Sequence, residues 1–157
     1  MKKEFKFSYQ HIPSFEELNE EQAKTISSAE EAAKKAYAPY SKFKVGAALL
    51  LNDNKIILGS NQENKAYPTG LCAERVALFS YGAQENGQGI KTLAIVGDGE
   101  LLNPGDIFSP CGGCRQAMAE YSEMQDEPFE IILKNQDGSF MIFEGIHQLL
   151  PFIFGTN

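Results

Sequence analysis

The chain has 157 residues, three cysteines, no tryptophan, and 14 Lys and Arg against 21 Asp and Glu, for a formal charge of −7. The length fits one domain, and 43% apolar with 22% charged residues excludes both a disordered tail and a membrane protein. The negative charge, with no basic stripe, argues against a nucleic acid polymer as partner and favours a small or weakly charged ligand.

Along the chain, Phe5, Phe7 and Tyr9 alternate with polar residues as an edge strand does, and Ser14-Phe15-Glu16-Glu17 has the spacing of a helix-capping box. These mark an N-terminal arm, residues 1–19, ahead of one domain over 20–157. From Glu20 to Tyr37 the positions Ala23, Ile26, Ala29, Ala33, Ala36 and Tyr37 recur at helical spacing, and Pro39 follows as a stop. Phe43 to Leu51, Asn52-Asp53-Asn54 and Ile56-Ile57-Leu58 read as a hairpin. A helix is expected from Cys72 to Glu85 with Gly87 beyond it, and Leu93-Ala94-Ile95-Val96 is a short strand apolar on both faces. A further helix runs from Cys111 to about Glu123. After it come strands at Phe129–Leu133 and Phe140–Phe143, joined by the turn Asn135-Gln136-Asp137-Gly138, then a short helix from Gly145 to Leu150. The order predicts an α/β three-layer sandwich, a five-stranded mixed sheet between helices, in which the two central helices follow adjacent parallel strands.

That topology brings three cysteines together. Cys111 and Cys114 form a C-x-x-C on the first turn of one helix, and Cys72 opens the other, in Cys72-Ala73-Glu74-Arg75. Three protein ligands and an open fourth position are the pattern of a catalytic zinc, whereas structural sites are closed by four. His11 and His147, the two histidines, lie in peripheral segments and provide no obvious fourth ligand. Three thiolates leave zinc with a net negative charge, which two helix N-termini and Arg75 offset. Glu74, two residues after Cys72, is placed to move a proton beside the metal as a general acid and base. Each piece alone has a plainer meaning. The C-x-x-C could be a redox pair, Cys72 a small buried residue, Glu74 a first-turn carboxylate favoured by the helix dipole, and Arg75 a surface residue. Three cysteines are an odd number, so they cannot all pair as disulfides, and a reducing cytosol is the expected compartment, with neither an export signal nor a membrane span.

From Ala29 to Phe154 the chain resembles the small, three-cysteine cytidine deaminases. The likeness rests on Ala38-Pro39-Tyr40-Ser41-Lys42-Phe43-Lys44-Val45-Gly46-Ala47-Ala48-Leu49, Asn61-Gln62-Glu63-Asn64, Cys72-Ala73-Glu74-Arg75, Pro110-Cys111-Gly112-Gly113-Cys114-Arg115-Gln116 and Leu149-Leu150-Pro151. It departs at Gly113, where alanine is common in the family, and in the arm, which lies outside the matched core. The resemblance implies one zinc ion per subunit, held by Cys72, Cys111 and Cys114, with Glu74 carrying a proton from the attacking water to ring N3 and then to the departing amine. It implies that Asn61 and Glu63 bind the ribose 3′-hydroxyl as donor and acceptor from one side of an extended segment. It further implies that Phe43 and Tyr67 pack on sugar and base, although Phe43 reads equally as core. The backbone N–H of Ala73 would bind the cytosine carbonyl, and Arg75 and Gln116 would donate to the zinc sulfurs. Phe154, or Phe152 in its place, would reach the base from a neighbouring subunit of a homotetramer. The expected function is hydrolytic deamination of cytidine and deoxycytidine in pyrimidine salvage. The alternatives are deamination of another aminonucleoside such as blasticidin S, deamination of a base within a polymer, and a zinc-binding or redox module without catalysis.

Overall fold

A computed structural model describes residues 1–84, 87–103 and 105–155. In chain order they form strand β1 (Gln10–Ile12), helix α1 (Glu20–Ala33), strands β2 (Lys44–Leu51) and β3 (Ile56–Ser60), and helix α2 (Ala73–Ala83). Strand β4 (Ile90–Asp98), helix α3 (Gly112–Glu123) and strands β5 (Glu130–Lys134) and β6 (Phe140–Phe143) follow. Single 3-10 turns lie at Phe15–Glu17, Tyr67–Thr69 and Ile146–Gln148.

The strands make one mixed sheet in the order β1-β6-β5-β4-β2-β3. Strands β4 and β5 are parallel, and the other neighbours are antiparallel. Side-chain alternation sorts the apolar residues onto two faces. Ala47, Leu49, Leu93, Ile95, Ile131, Leu133, Met141 and Phe143 lie in the core that also holds Ala77 and Leu78 of α2 and Met118 and Ala119 of α3. Ala48, Ala94, Val96, Ile132, Phe140 and Ile142 face the other way, against Ile26, Ala29 and Ala33 of α1. The three expected layers are present, and both faces of the central strands are covered. Among the described residues, no helix is long and apolar enough to cross a membrane.

The sheet has six strands rather than five, because the arm supplies β1, which pairs with β6 through Gln10↔Ile142 and Ile12↔Phe140. This strand lies later than the expected alternation: Phe5 and Phe7 precede it and are largely exposed, whereas Ile12 is buried. The capping box also lies elsewhere. Asn19 accepts from the Gln22 backbone at 2.9 Å while the Gln22 side chain accepts from the Asn19 N–H at 3.1 Å, and the Ser14 hydroxyl donates to the Glu17 carboxylate and caps no helix. Helix α1 stops at Ala33, short of Tyr37, because the Tyr37 backbone pairs with another segment: its N–H donates to Asn61 O at 3.0 Å and its carbonyl accepts from Glu63 N at 2.9 Å. The expected end of α2 at Glu85 falls outside the described residues, and the C-terminal helix is one 3-10 turn.

One further correction bears on the site. The strands that lead into α2 and α3, β3 and β4, are parallel to each other but not adjacent, since antiparallel β2 lies between them. Two strand spacings are about 9.6 Å, within the 8–10 Å at which two helices pack, so the intervening strand lets α2 and α3 lie side by side. Tyr81 and Tyr121 make an edge contact between them at 5.9 Å. Two glycines bring helices close to the sheet. A Cβ at Gly46 would collide with Ala29 O and Ala33 N of α1, and one at Gly59 with Ala73 O, while standing 2.5 Å from Ala77 N of α2. Gly59→Ala is therefore expected to cost about 1–3 kcal/mol in urea unfolding, as overpacking does. It should also lower metal content, because α2 carries Cys72, whereas Gly46→Ala should lose comparable stability without that second effect.

Candidate active site

Cys72 and Cys111 are the N-cap residues of α2 and α3, with extended backbones (φ −71°, ψ 154° and φ −66°, ψ 163°). Neither side chain caps its helix, so both sulfurs are available above the first turns, where unpaired N–H groups and the positive dipole end favour a thiolate. Cys114, on the first turn of α3, is fully buried. The Sγ atoms of Cys72 and Cys111 are 3.9 Å apart, those of Cys111 and Cys114 3.5 Å, and all three lie within 4.8 Å of one another. All three cysteines are free thiols. Sulfurs bound tetrahedrally at 2.3 Å from one zinc ion would stand about 3.8 Å apart, close to the 3.9 and 3.5 Å edges of the triangle, so the three thiols suit a zinc ion. Among the described residues, these cysteines are the cluster of three possible ligands, and neither His11 nor His147 joins them.

The surroundings supply positive potential. Arg75 Nη2 donates to Cys72 Sγ at 3.7 Å. A hydrogen bond from Cys114, followed by the contacts with Arg75 and Cys111, lowers the Cys72 thiol to about 5 despite its partial burial. The same contact with Cys72, together with burial, pushes the Cys114 thiol up. Glu74 is almost fully buried at the start of α2, beside Cys72 and Cys114. Burial raises its carboxyl to about 7, helped by the neighbouring Cys72 charge and opposed by its hydrogen bonds and by Arg75.

Cys72 and Arg75 form part of the wall of an open cavity of about 570 Å³, within the range of small-molecule sites. Asn61, Glu63 and Tyr67 line it with them. Asn61 Oδ1 accepts from Val45 N at 2.8 Å and its Nδ2 donates to Phe43 O at 2.9 Å, which leaves one N–H and one lone pair for a ligand. Glu63 accepts from the backbone of Tyr40 at 2.9 Å and of Ser41 at 3.3 Å; the Ser41 side chain foremost, and then these backbone bonds, hold its carboxyl below its ordinary value against the effect of burial. Tyr67 is exposed at the rim and meets Tyr40 edge-on at 6.2 Å. Ala73 is buried directly after Cys72, and its N–H is at the first position of α2.

Two expected site residues sit elsewhere. Phe43 is not on the cavity wall: it stands just before β2, and its ring is buried in the core, 5.9 Å from Phe108 and over Gly97. Gln116 has the Phe154 backbone for its partner rather than a sulfur, donating to Phe154 O at 2.7 Å and accepting from Phe154 N at 3.1 Å. Phe154 is itself exposed and away from this cavity. The sequence reading missed Tyr40, which lines the cavity, and Arg115, whose guanidinium bonds Ser109, Pro110 and Leu149. Tyr40 stands in the quoted Ala38–Leu49 block, and nothing in its spacing distinguishes it from a surface residue.

A sheet that aims two helix N-termini at one sulfur triangle, beside a buried carboxyl and an open cavity, defines a zinc-dependent hydrolase. The family described as "Cytidine and deoxycytidylate deaminase zinc-binding region" matches residues 19–126, and the chain belongs to that family. It is 47% identical over 98 residues to a cytidine deaminase of Sporosarcina psychrophila, covering 62% of this chain and 68% of that one. It is 39% identical over 129 residues to a cytidine deaminase of Halalkalibacterium halodurans, covering 82% and 90% respectively. The crystal structure of a cytidine deaminase from Burkholderia pseudomallei superposes with a TM-score of 0.72 at 41% identity, over 83% of this chain and 97% of that one.

Asn61 holds the entry to β2 through two backbone groups, so Asn61→Ala is expected to cost about 1–3 kcal/mol in urea unfolding. Glu63→Ala leaves the more exposed Tyr40 and Ser41 amides to water and should change stability far less.

Proposed function

We propose that the protein hydrolyses cytidine and deoxycytidine to uridine and deoxyuridine with release of ammonia, as a step of pyrimidine salvage. The observation that carries this reading is the sulfur triangle of Cys72, Cys111 and Cys114, with spacings of 3.9 and 3.5 Å that suit one zinc ion, reaching the cavity wall through Cys72 and lying beside the buried Glu74. Zinc held there supplies Lewis acidity and makes water nucleophilic near neutral pH. The remaining roles fall to the chain. Glu74 takes one proton from the attacking water and gives it to ring N3, then takes the second from the oxygen now on C4 and gives it to the amine that leaves as ammonia, so water and nucleoside account for every atom of the products. Arg75 and the two helix ends temper the charge of three thiolates, and the Ala73 N–H is placed for the cytosine carbonyl. Asn61 and Glu63 keep free hydrogen-bonding capacity toward the cavity and receive a sugar hydroxyl, while Tyr67 covers the ring at the rim. A cavity whose wall carries Glu63 suits an uncharged nucleoside.

The catalytic unit spans residues 20–157, and the arm, 1–19, braces its sheet edge. The active form is a cytoplasmic homotetramer, a reading supported by the family likeness and by the exposure of Phe152 and Phe154 at 84% and 89%. Glu74→Gln keeps the shape of the side chain and removes its proton transfer. It should lower kcat for cytidine by about 10²–10⁴-fold with zinc content intact, and kcat within threefold of wild type would defeat the assignment. Glu63→Ala should raise KM for cytidine and leave the slow turnover of free cytosine unchanged; equal losses on both would remove Glu63 from sugar recognition.

A further inference from the structure

The turn that carries two of the three sulfurs is closed by the helical bond from Arg115 N–H to Cys111 O at 3.0 Å and is anchored by the buried Cys114, but its exposed face packs against nothing. Cys111, Gly112 and Gly113 are all exposed, and a Cβ at either glycine would meet no atom within 4 Å, so no side-chain packing fixes Cys111 relative to Cys114. Glycine also adds backbone freedom at two successive positions of a first helical turn. The restraint comes from the other side. Arg115 Nε donates to Pro110 O at 2.9 Å, Nη2 to Ser109 Oγ at 2.6 Å and Nη1 to Leu149 O at 2.9 Å. The first bond fixes the peptide plane that leads into Cys111, and the second fixes the residue before it. The third ties both to the C-terminal segment, which Gln116 holds again through its reciprocal pair with the Phe154 backbone. A guanidinium is the one side chain that makes three such bonds in a fixed plane, because its donors lie in a rigid fork.

We propose that Arg115 is the positioning residue of the metal centre: it braces the Ser109–Pro110–Cys111 turn against the C-terminal segment and so sets how firmly Cys111 holds zinc. This rests on the zinc reading above. Arg115 touches no sulfur in the structure and acts only through the Pro110 and Leu149 carbonyls and the Ser109 hydroxyl that it holds. It is therefore distinct from Arg75, which bonds Cys72 directly.

The test follows zinc release from the whole protein to a chromogenic chelator, with melting temperature measured on the same samples. Arg115→Ala is expected to release zinc about 10–100-fold faster, the usual range for a group that orients a metal ligand, from a protein that still melts cooperatively. Arg115→Lys keeps the charge and loses the fork, and should release zinc nearly as fast as Arg115→Ala. Adding Gly113→Ala to Arg115→Ala stiffens the turn where the structure leaves room for a methyl, and should slow release again by about two- to fivefold. Wild-type release rates in Arg115→Ala would overturn the proposal. So would full restoration by lysine, which would make the effect one of charge, or a release rate that simply follows a fall in melting temperature. If the wild-type protein itself binds no zinc, the zinc reading fails first, and that outcome is distinguishable before any variant is compared.

Discussion

Three sulfurs can share one ion only if two helix N-termini arrive at the same end of the sheet at the spacing of packed helices, and β2 makes that possible. Because it runs antiparallel between β3 and β4, those two strands point the same way two strand spacings apart. Helices α2 and α3 then pack directly against each other over one face, with Cys72 and Cys111 at their caps. The hairpin is thus the device that sets the metal site.

The helix ends do more than place the ligands. Their dipoles and Arg75 make it affordable to gather thiolates in one place, and the same crowding, with burial, keeps Glu74 ready to hold a proton near neutral pH. One cluster therefore contains both a metal-binding set and a buried carboxyl, each tuned by the other's charge. The substrate side is built differently. Asn61 and Glu63 are anchored to the backbone around Phe43, Val45, Tyr40 and Ser41, so the cavity wall is tied to the start of β2 and the segment that leaves α1 early. Close approach at Gly46 and Gly59 keeps both helical layers tight against that same hairpin.

Most of this was legible in the sequence where a pattern is periodic or chemically unusual. The short apolar runs of β2, β4, β5 and β6, set between helical patterns, and the two cysteine motifs point to the layers and to the metal. What escaped depended on partners far away in the chain. The end of α1 at Ala33 follows from backbone pairing of Tyr37 with residues 61 and 63, which helical spacing cannot register. Asn19 with Gln22 is as good a capping box as Ser14 with Glu17, and only the packing of α1 decides between them. Phe43 carries no mark in the sequence that separates a ring turned into the core from one turned to a ligand, and only the fold places it against Phe108. Strand adjacency was inferred from chain order, which says nothing of a hairpin strand inserting between two that follow the same rule.

The central claim is that one zinc ion held by three cysteines makes this chain a nucleoside deaminase. Metal analysis and cytidine turnover, read on one sample before and after chelation and again after zinc is restored, test it most directly. One zinc per chain, loss of uridine formation on chelation and its return in proportion to zinc added are the expected results. Full turnover from metal-free protein, with all three thiols open to modification, would contradict the account.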